Sequence, residues 1–248
     1  MSREITLVTD RFPGRPDLDA AVSRAMLNRV AAGDLPETLR LYVPDRLVAF
    51  SGRDAVNPGF ATARSAAGAA GFGYFSRLAG GTAAAFHEET IAISWAIPDP
   101  DPRPGIRRRF EEAAGLVRDS LIRLGVDAAV GEVPGEYCPG GSSVNARRRV
   151  KLAGIGQRLV AGAAHIGGVI VVGRPELVNR ALTPVYAALR YPWDPEATGA
   201  VYTETGAGVQ AVLDAIVRTL GERHVVRPGP TDRATMETAG AALAPPLA

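Results

Sequence analysis

Two strand-like runs, Val150 to Val160 and Ala163 to Val172, are joined through a turn at Gly162. A link that short returns the chain antiparallel to itself, because a parallel neighbour needs a crossover of a dozen or more residues. A doubly wound, all-parallel sheet is therefore excluded. Other strand-like runs also come in close pairs. Leu39 to Val43 precedes Arg46 to Phe50, and Thr82 to Phe86 precedes Thr90 to Trp95 across His87-Glu88-Glu89. A further strand, Glu4 to Val8, stands near the start.

Helical patterns separate the pairs. Asp17 to Ala32 places Leu18, Ala21, Ala25, Met26 and Val30 on one face and stops at Gly33. Arg107 to Leu124 carries a 3.6-residue stripe at Phe110, Ala114, Val117, Leu121 and Leu124. Further helices are expected at about Pro58 to Ala70, Glu176 to Leu189 and Ala207 to Arg223. Close strand pairs separated by helices predict an α+β fold with mixed or antiparallel sheets flanked by helices. With no internal repeat or linker, residues 1–226 read as one domain. The segment 227–248, rich in Pro, Ala and Gly, reads as a loosely ordered tail.

Charge and cysteine usage narrow the function. The 28 basic residues against 26 acidic ones leave a formal charge of +2, which points away from nucleic acid and membrane surfaces. No N-terminal run has the layout of a signal peptide, and no apolar stretch approaches the ~20 residues of a membrane helix. One cysteine excludes an internal disulfide and fits a reducing cytoplasm. Among the 28 Lys and Arg residues only Lys151 is a lysine. A chain this biased toward Arg retains a Lys either by chance or where a compact ammonium is required.

Three segments can carry chemistry. Arg77-Leu78-Ala79-Gly80-Gly81-Thr82-Ala83-Ala84-Ala85-Phe86-His87 sets two adjacent glycines at a loop-to-strand junction. There a ligand can approach backbone N–H groups, although Gly-Gly alone also marks an ordinary tight turn. Gly135-Glu136-Tyr137-Cys138-Pro139-Gly140-Gly141-Ser142-Ser143 puts a thiol on a Gly/Pro loop, where reactive rather than structural cysteines are found. A nucleophilic thiol needs a cation or base beside it. Lys151, His87, His165 and the Arg147-Arg148-Arg149 run are the candidates. Val150-Lys151-Leu152-Ala153-Gly154-Ile155-Gly156-Gln157-Arg158 is a strand on which Val150 and Leu152 face away from Lys151. The ammonium then enters a site lined by small residues, with a carbonyl or phosphate oxygen as natural partner. His165 on the next strand either shares that space or is a satisfied core histidine.

In order and spacing these segments resemble the biotin/lipoate protein ligase superfamily, in particular lipoate-protein ligases and octanoyltransferases. Arg77, Gly80, Gly81, Ala83 and His87 match an Arg-Arg-x-x-Gly-Gly-Gly-Ala-Val-x-His segment. Lys151, Gly154 and Gln157 match Gly-x-Lys-Ile/Val-x-Gly-x-Ala-Gln, and His165 with Gly167 matches a His-Gly hairpin. Ser51-Gly52-Arg53 looks like a Gly-Arg entry to a binding loop. Ser76 replaces the second Arg of the pair, Thr82 the third glycine, and Glu89-Thr90 a Gly-Asn after the histidine.

The resemblance implies a catalytic domain like that of class II aminoacyl-tRNA synthetases and biotin protein ligases. It implies transfer of an octanoyl or lipoyl group to a lysine of a lipoyl domain, on an E2 subunit or a glycine cleavage H protein, with acyl carrier protein as a possible donor. Lys151 would contact the acyl carbonyl. Arg77, Gly80, Gly81, Thr82, His87, Gly154, Gln157 and His165 would bind substrate. A Cys138 acyl-thioester route would need no metal and no cofactor. The alternative is an ATP- and Mg-dependent ligase, in a form split from its accessory domain, since few residues follow the last strand pair. A binding protein that keeps the acyl pocket without turnover is the reading of a different class. The run Arg107–Arg109 opens a helix, where cations are disfavoured, and is expected to be a solvated face. Arg147–Arg149 beside the site is expected to steer an acidic partner domain.

Overall fold

The computed structural model describes residues 2–243. In chain order the elements are β1 (Glu4–Val8), α1 (Pro16–Ala32), β2 (Thr38–Tyr42), β3 (Leu47–Phe50), α2 (Gly52–Ala55), α3 (Phe60–Ala69), β4 (Gly73–Ser76) and β5 (Ala84–Phe86). They continue with β6 (Thr90–Pro98), α4 (Ile106–Arg123), β7 (Ala128–Val130), β8 (Val144–Ala146), β9 (Val150–Val160), β10 (Ala163–Val171) and α5 (Pro175–Leu189). A 3-10 turn at Pro195–Ala197 precedes α6 (Val201–Thr205), α7 (Val209–Gly221), β11 (Val225–Pro228) and α8 (Arg233–Leu243).

Eight strands form one sheet in the order β11-β1-β2-β6-β10-β9-β8-β7, and three form a second in the order β4-β3-β5. The long β9–β10 pair is antiparallel, as the turn at Gly162 requires. The other two close pairs are not hairpins. β2 lies in the large sheet and β3 in the small one, and β5 and β6 are divided the same way. The corner between β5 and β6 is a tight turn: the Thr90 N–H donates to the His87 carbonyl at 2.9 Å, and Thr90 Oγ donates to the same oxygen at 2.8 Å. That geometry turns the chain out of one sheet and into the other.

The period-2 alternation along the large sheet decides its two faces. Leu39 and Leu41, Ile91 and Trp95, and Ile166 and Ile170 point one way, onto apolar residues of α4 and α7 such as Val117, Leu121 and Ile216. Tyr42, Ala92, Val169 and Val171 point the other way, onto the small sheet and α5. Helix α1 covers this second face further along, where Leu27 and Val30 pack on Ala96 and Ala163. The arrangement is a mixed α+β fold in layers.

The segment expected to be a loose tail is ordered from 227 to 243. β11 adds a parallel edge strand beside β1. Helix α8 buries Ala239 against α1, and Arg29 anchors its start through Asp232 at 2.5 Å and Thr235 at 2.8 Å. Residues 244–248 of that expected tail lie outside the described residues. A specific ion pair and a small apolar face outweigh the Pro/Gly/Ala composition there. No helix among the described residues is long and apolar enough to cross a membrane.

Candidate active site

A cavity of about 620 Å³ lies on the second face of the large sheet, between that sheet, the small sheet and α1. Its wall includes both singled-out residues, Cys138 and Lys151. Tyr42, Phe75, Phe86, Ala92 and Val169 make an apolar part of the lining.

The Cys138 loop is organised around one buried carboxylate. Glu136 is 3% exposed; its Oε2 accepts the Val133 N–H at 3.0 Å, and its Oε1 accepts Ser143 Oγ at 2.5 Å and the Gly140 N–H at 3.3 Å. Lys151, fully buried, donates to the same Oε1 at 3.0 Å and to the Tyr137 and Cys138 carbonyls at 2.8 Å each. The expected carbonyl partner of Lys151 is thus supplied, in this state, by the cysteine loop itself. Gly154 makes the approach possible, since a Cβ there would stand 3.2 Å from Lys151 Cε. Val150 and Leu152 face the opposite core, as the alternation requires.

Cys138 has φ 45°, a left-handed conformation that a non-glycine residue keeps only when its surroundings hold it there. The hold comes from Lys151 on its carbonyl and Tyr186 on its N–H, which donates to the phenol oxygen at 2.8 Å. Tyr186 in turn donates to the Ala83 carbonyl at 2.9 Å and lies 2.9 Å from Thr82 Oγ1. Thus α5 ties the cysteine loop to the Gly80-Gly81-Thr82 segment.

Two donors converge on the sulfur: the Thr82 N–H at 3.3 Å and Arg77 Nη2 at 3.4 Å. Arg77 Nη2 also donates to the Thr82 carbonyl at 2.6 Å, which fixes the guanidinium beside the thiol. Burial by itself would raise the Cys138 pKa. The Arg77 and Lys151 cations, with the hydrogen bonds from Arg77 and Thr82, outweigh it and hold the thiol below its ordinary value. Gly81 cannot be replaced in this arrangement. Its φ is +101°, and a Cβ would fall 2.6 Å from both Arg77 Nη2 and Cys138 Sγ. Ser51, which with Asp54 forms a capping box on α2, donates to the Gly81 carbonyl at 2.7 Å. This gives the Ser51-Gly52-Arg53 segment a supporting role.

A consequence is measurable. Alkylation of Cys138 by iodoacetamide requires the thiolate, which forms above the thiol pKa. A lowered pKa moves the rise in rate to lower pH than for a free cysteine. Arg77→Met removes the cation that donates to the sulfur, and the rise is expected to shift back upward. An unchanged profile would remove Arg77 from the activation of the sulfur.

The other expected site residues divide. Gly80, Gly81, Gly154, Gln157 and His165 line the cavity with Arg77. Thr82 lies against it through Tyr186 and the sulfur. His87 does not reach it: it is fully buried in the β5–β6 corner, where its Nδ1 accepts the Glu89 N–H at 3.1 Å. Burial pushes its pKa down to about 4, so it is neutral and structural at this corner. Gln157 is held by Arg109, whose Nε donates to its Oε1 at 2.7 Å, while Arg109 Nη1 meets Asp99 at 2.5 Å. Arg109 is 1% exposed, so the Arg107–Arg109 run is not a uniform solvated face. Its third member turns inward because Asp99 and Gln157 together satisfy it. Arg147–Arg149 is exposed, and Arg147 pairs with Glu204 at 2.8 Å.

Glu136 and Tyr186 are the functional residues that sequence reasoning missed. Glu136 was visible as the one acid within the cysteine loop. Tyr186 had no local signal, because its partners are about 50 and 100 residues away. Among the described residues no group of three His, Cys, Asp or Glu side chains is placed to hold a metal ion.

The family model of the lipoyl protein ligase A/B catalytic domain matches residues 16–189. No curated protein matches the chain in sequence. Among solved structures, a T. acidophilum protein assigned as a lipoate protein ligase, with bound lipoic acid, is 19% identical, with a TM-score of 0.76 and coverage of 97% of this chain and 94% of that one. Lipoate-protein ligase A bound with ATP is 20% identical, with the same TM-score and the same coverage. A bi-partite lipoate protein ligase from Thermoplasma acidophilum, described with its E2 lipoyl domain, is 18% identical, with a TM-score of 0.71 over 97% and 91% of the two chains. At these identities the likeness shows the shared fold.

Proposed function

The chain belongs to the lipoyl protein ligase A/B catalytic-domain family, and on that premise we propose that it is an acyltransferase. It moves an octanoyl or lipoyl group onto a lysine of a lipoyl domain through a thioester on Cys138. The observation that carries this reading is the convergence of one thiol, the Arg77 guanidinium, the Lys151 ammonium and the Thr82 N–H at the wall of a partly apolar cavity.

The chemistry balances in two steps. The Cys138 thiolate attacks the acyl carbonyl of a carrier-protein thioester. A C–S bond to Cys138 forms, the carrier C–S bond breaks, and the carrier sulfur leaves to be protonated as a thiol. The acceptor lysine, as the free amine, then attacks the Cys138 thioester: the C–N bond forms, the C–S bond to Cys138 breaks, and one amine proton passes to the departing sulfur, leaving an amide and the Cys138 thiol. Both steps place negative charge on the acyl oxygen, which favours fixed cations and N–H donors at that point. Arg77 and Lys151 supply the cations. A Lys151 proton now given to a loop carbonyl can be turned to the acyl oxygen, a short exchange between like acceptors.

The acceptor is a lipoyl domain in this reading, in keeping with the family and with the bi-partite ligase that shares the fold. The ATP-bound ligase of the same fold keeps an adenylate route as the second reading. Octanoyl-acyl carrier protein, mixed with the protein without ATP, decides between them. The expected result is a mass gain of one octanoyl group at Cys138, discharged when a lipoyl domain is added. Adenylate formation from ATP and lipoate, with no mass gain at Cys138, would overturn the thioester route. Neither activity would leave a binding protein.

A further inference from the structure

One polar side chain of the cysteine loop has no work in the resting protein. Glu136 takes hydrogen bonds from Val133, Gly140, Ser143 and Lys151. Tyr186 donates to the Ala83 carbonyl, and its oxygen accepts the Cys138 N–H and faces Thr82 Oγ1. Tyr137 is different. It is 1% exposed and contributes to the cavity wall, and Lys151 takes its backbone carbonyl at 2.8 Å. Its hydroxyl is buried and has no hydrogen-bond partner among the described residues.

A tyrosine hydroxyl shut away from water usually finds a partner. The ring is well seated without it. Trp193 meets it edge to face, 6.3 Å between centroids, and the Lys151 ammonium stands 4.7 Å from its centre. Phenylalanine would make both contacts, so packing does not account for the oxygen.

A second donor beside the sulfur is idle in the same way. Arg77 spends Nη2 on the Thr82 carbonyl and on Cys138 Sγ, while its Nε–H is buried without a partner among the described residues. Two unspent donors around one nucleophile call for an acceptor that arrives from outside. Acyl transfer brings one, because the tetrahedral carbon formed on the sulfur carries a negatively charged oxygen.

A phenol there could act as an acid or as a hydrogen-bond donor, and its surroundings choose. Burial, with the ionisable Cys138, Tyr186 and Glu136 groups nearby, pushes it well above its ordinary value, although Arg77 opposes the shift. Handing its proton to a leaving thiolate, whose conjugate acid has the lower pKa, runs uphill. Keeping the proton and donating it asks for no reorganisation at the moment of reaction.

We propose that the Tyr137 hydroxyl donates a hydrogen bond to the acyl oxygen as the Cys138 thioester forms and breaks, and is a catalytic residue beside Lys151. This rests on the thioester reading above and adds one group to it. No bond is made to Tyr137 and no proton leaves it. In the resting loop Lys151 holds the Tyr137 and Cys138 carbonyls and the hydroxyl is closed off. When the ammonium turns to the acyl oxygen it lets both residues go, and hydroxyl and ammonium meet the same atom.

Tyr137→Phe in the whole protein is the test, since it removes one oxygen and keeps the ring on Lys151 and Trp193. Acylation of Cys138 by octanoyl-acyl carrier protein, followed by mass in a single turnover, is expected to slow by about 10²-fold, the scale of one lost oxyanion donor. Alkylation of Cys138 by iodoacetamide builds no oxyanion, so its rate and pH profile are expected to match wild type. The melting temperature is expected to hold or rise, because the hydroxyl had no partner to lose. Acylation at the wild-type rate, or an equal slowing of alkylation, overturns the role of the hydroxyl alone. A lower melting temperature does so too, by showing the hydroxyl bonded in the resting protein. A wild-type protein that takes no acyl group from the carrier overturns the thioester reading, and the donor with it.

Discussion

Cys138→Ala is expected to abolish amide formation on a lipoyl domain, lowering the rate by about 10³-fold or more, since losing a nucleophile costs hydrolases ~10⁶ in kcat. The pocket and its two cations survive the change, so the acyl donor still binds but finds no sulfur to receive the acyl group. Stability is expected to move little. Cys138 sits on a loop whose anchors are its own backbone N–H and carbonyl, bound by Tyr186 and Lys151, and these do not depend on the side chain. The measurement is transfer from octanoyl-acyl carrier protein, followed by the mass of the acceptor, beside a thermal melt. Full transfer by the alanine variant would sink the thioester mechanism.

The second large effect is at Lys151. Lys151→Met keeps the length of the side chain and removes the ammonium, leaving Glu136 buried without its cation. Breaking a buried pair from one side costs about 3–5 kcal/mol. The loss reaches further than stability, because the ammonium also holds two carbonyls of the cysteine loop. Transfer is expected to fall by about 10²-fold or more, on the scale of one lost electrostatic contact in an active site. The double variant Lys151→Met with Glu136→Gln separates the two losses. It removes the uncompensated charge and is expected to regain much of the stability, while transfer stays low. If activity returned with stability, Lys151 would be a folding residue and no more. The two sites are in contact, so non-additivity between them is the quantity of interest.

The long β9–β10 hairpin was legible from the sequence because two residues between two apolar runs admit one solution. The division of β2 from β3 and of β5 from β6 between two sheets was not, although the connections are only four and three residues long. Alternating runs of four or five residues cannot say whether the next strand continues a sheet or starts another. The β5–β6 corner is made by Thr90 folding back on His87, a contact that spacing does not reveal. The same corner explains why His87, matched by motif, stands away from the cavity while Arg77 and Gly81 of that motif stand at the sulfur. The α8 helix was masked by composition: Ala and Gly make a weak pattern, and docking on α1 supplies what propensity does not. Lys151 and Cys138 were legible for a different reason. Each is the single example of its type, and each lies in a segment of small residues.

The engagement of Lys151 has a bearing on side reactions. An acyl thioester reacts with whatever amine meets it, and an enzyme that carries one risks acylating itself. Lys151 is the only lysine in the sequence, and so the only side-chain amine in it. All three of its protons are given to oxygens of Glu136, Tyr137 and Cys138. Its nitrogen is therefore engaged as a donor on three sides. The surface presents Arg, whose guanidinium is a poor nucleophile, in place of Lys. A thioester on Cys138 can then wait for an amine brought by another protein.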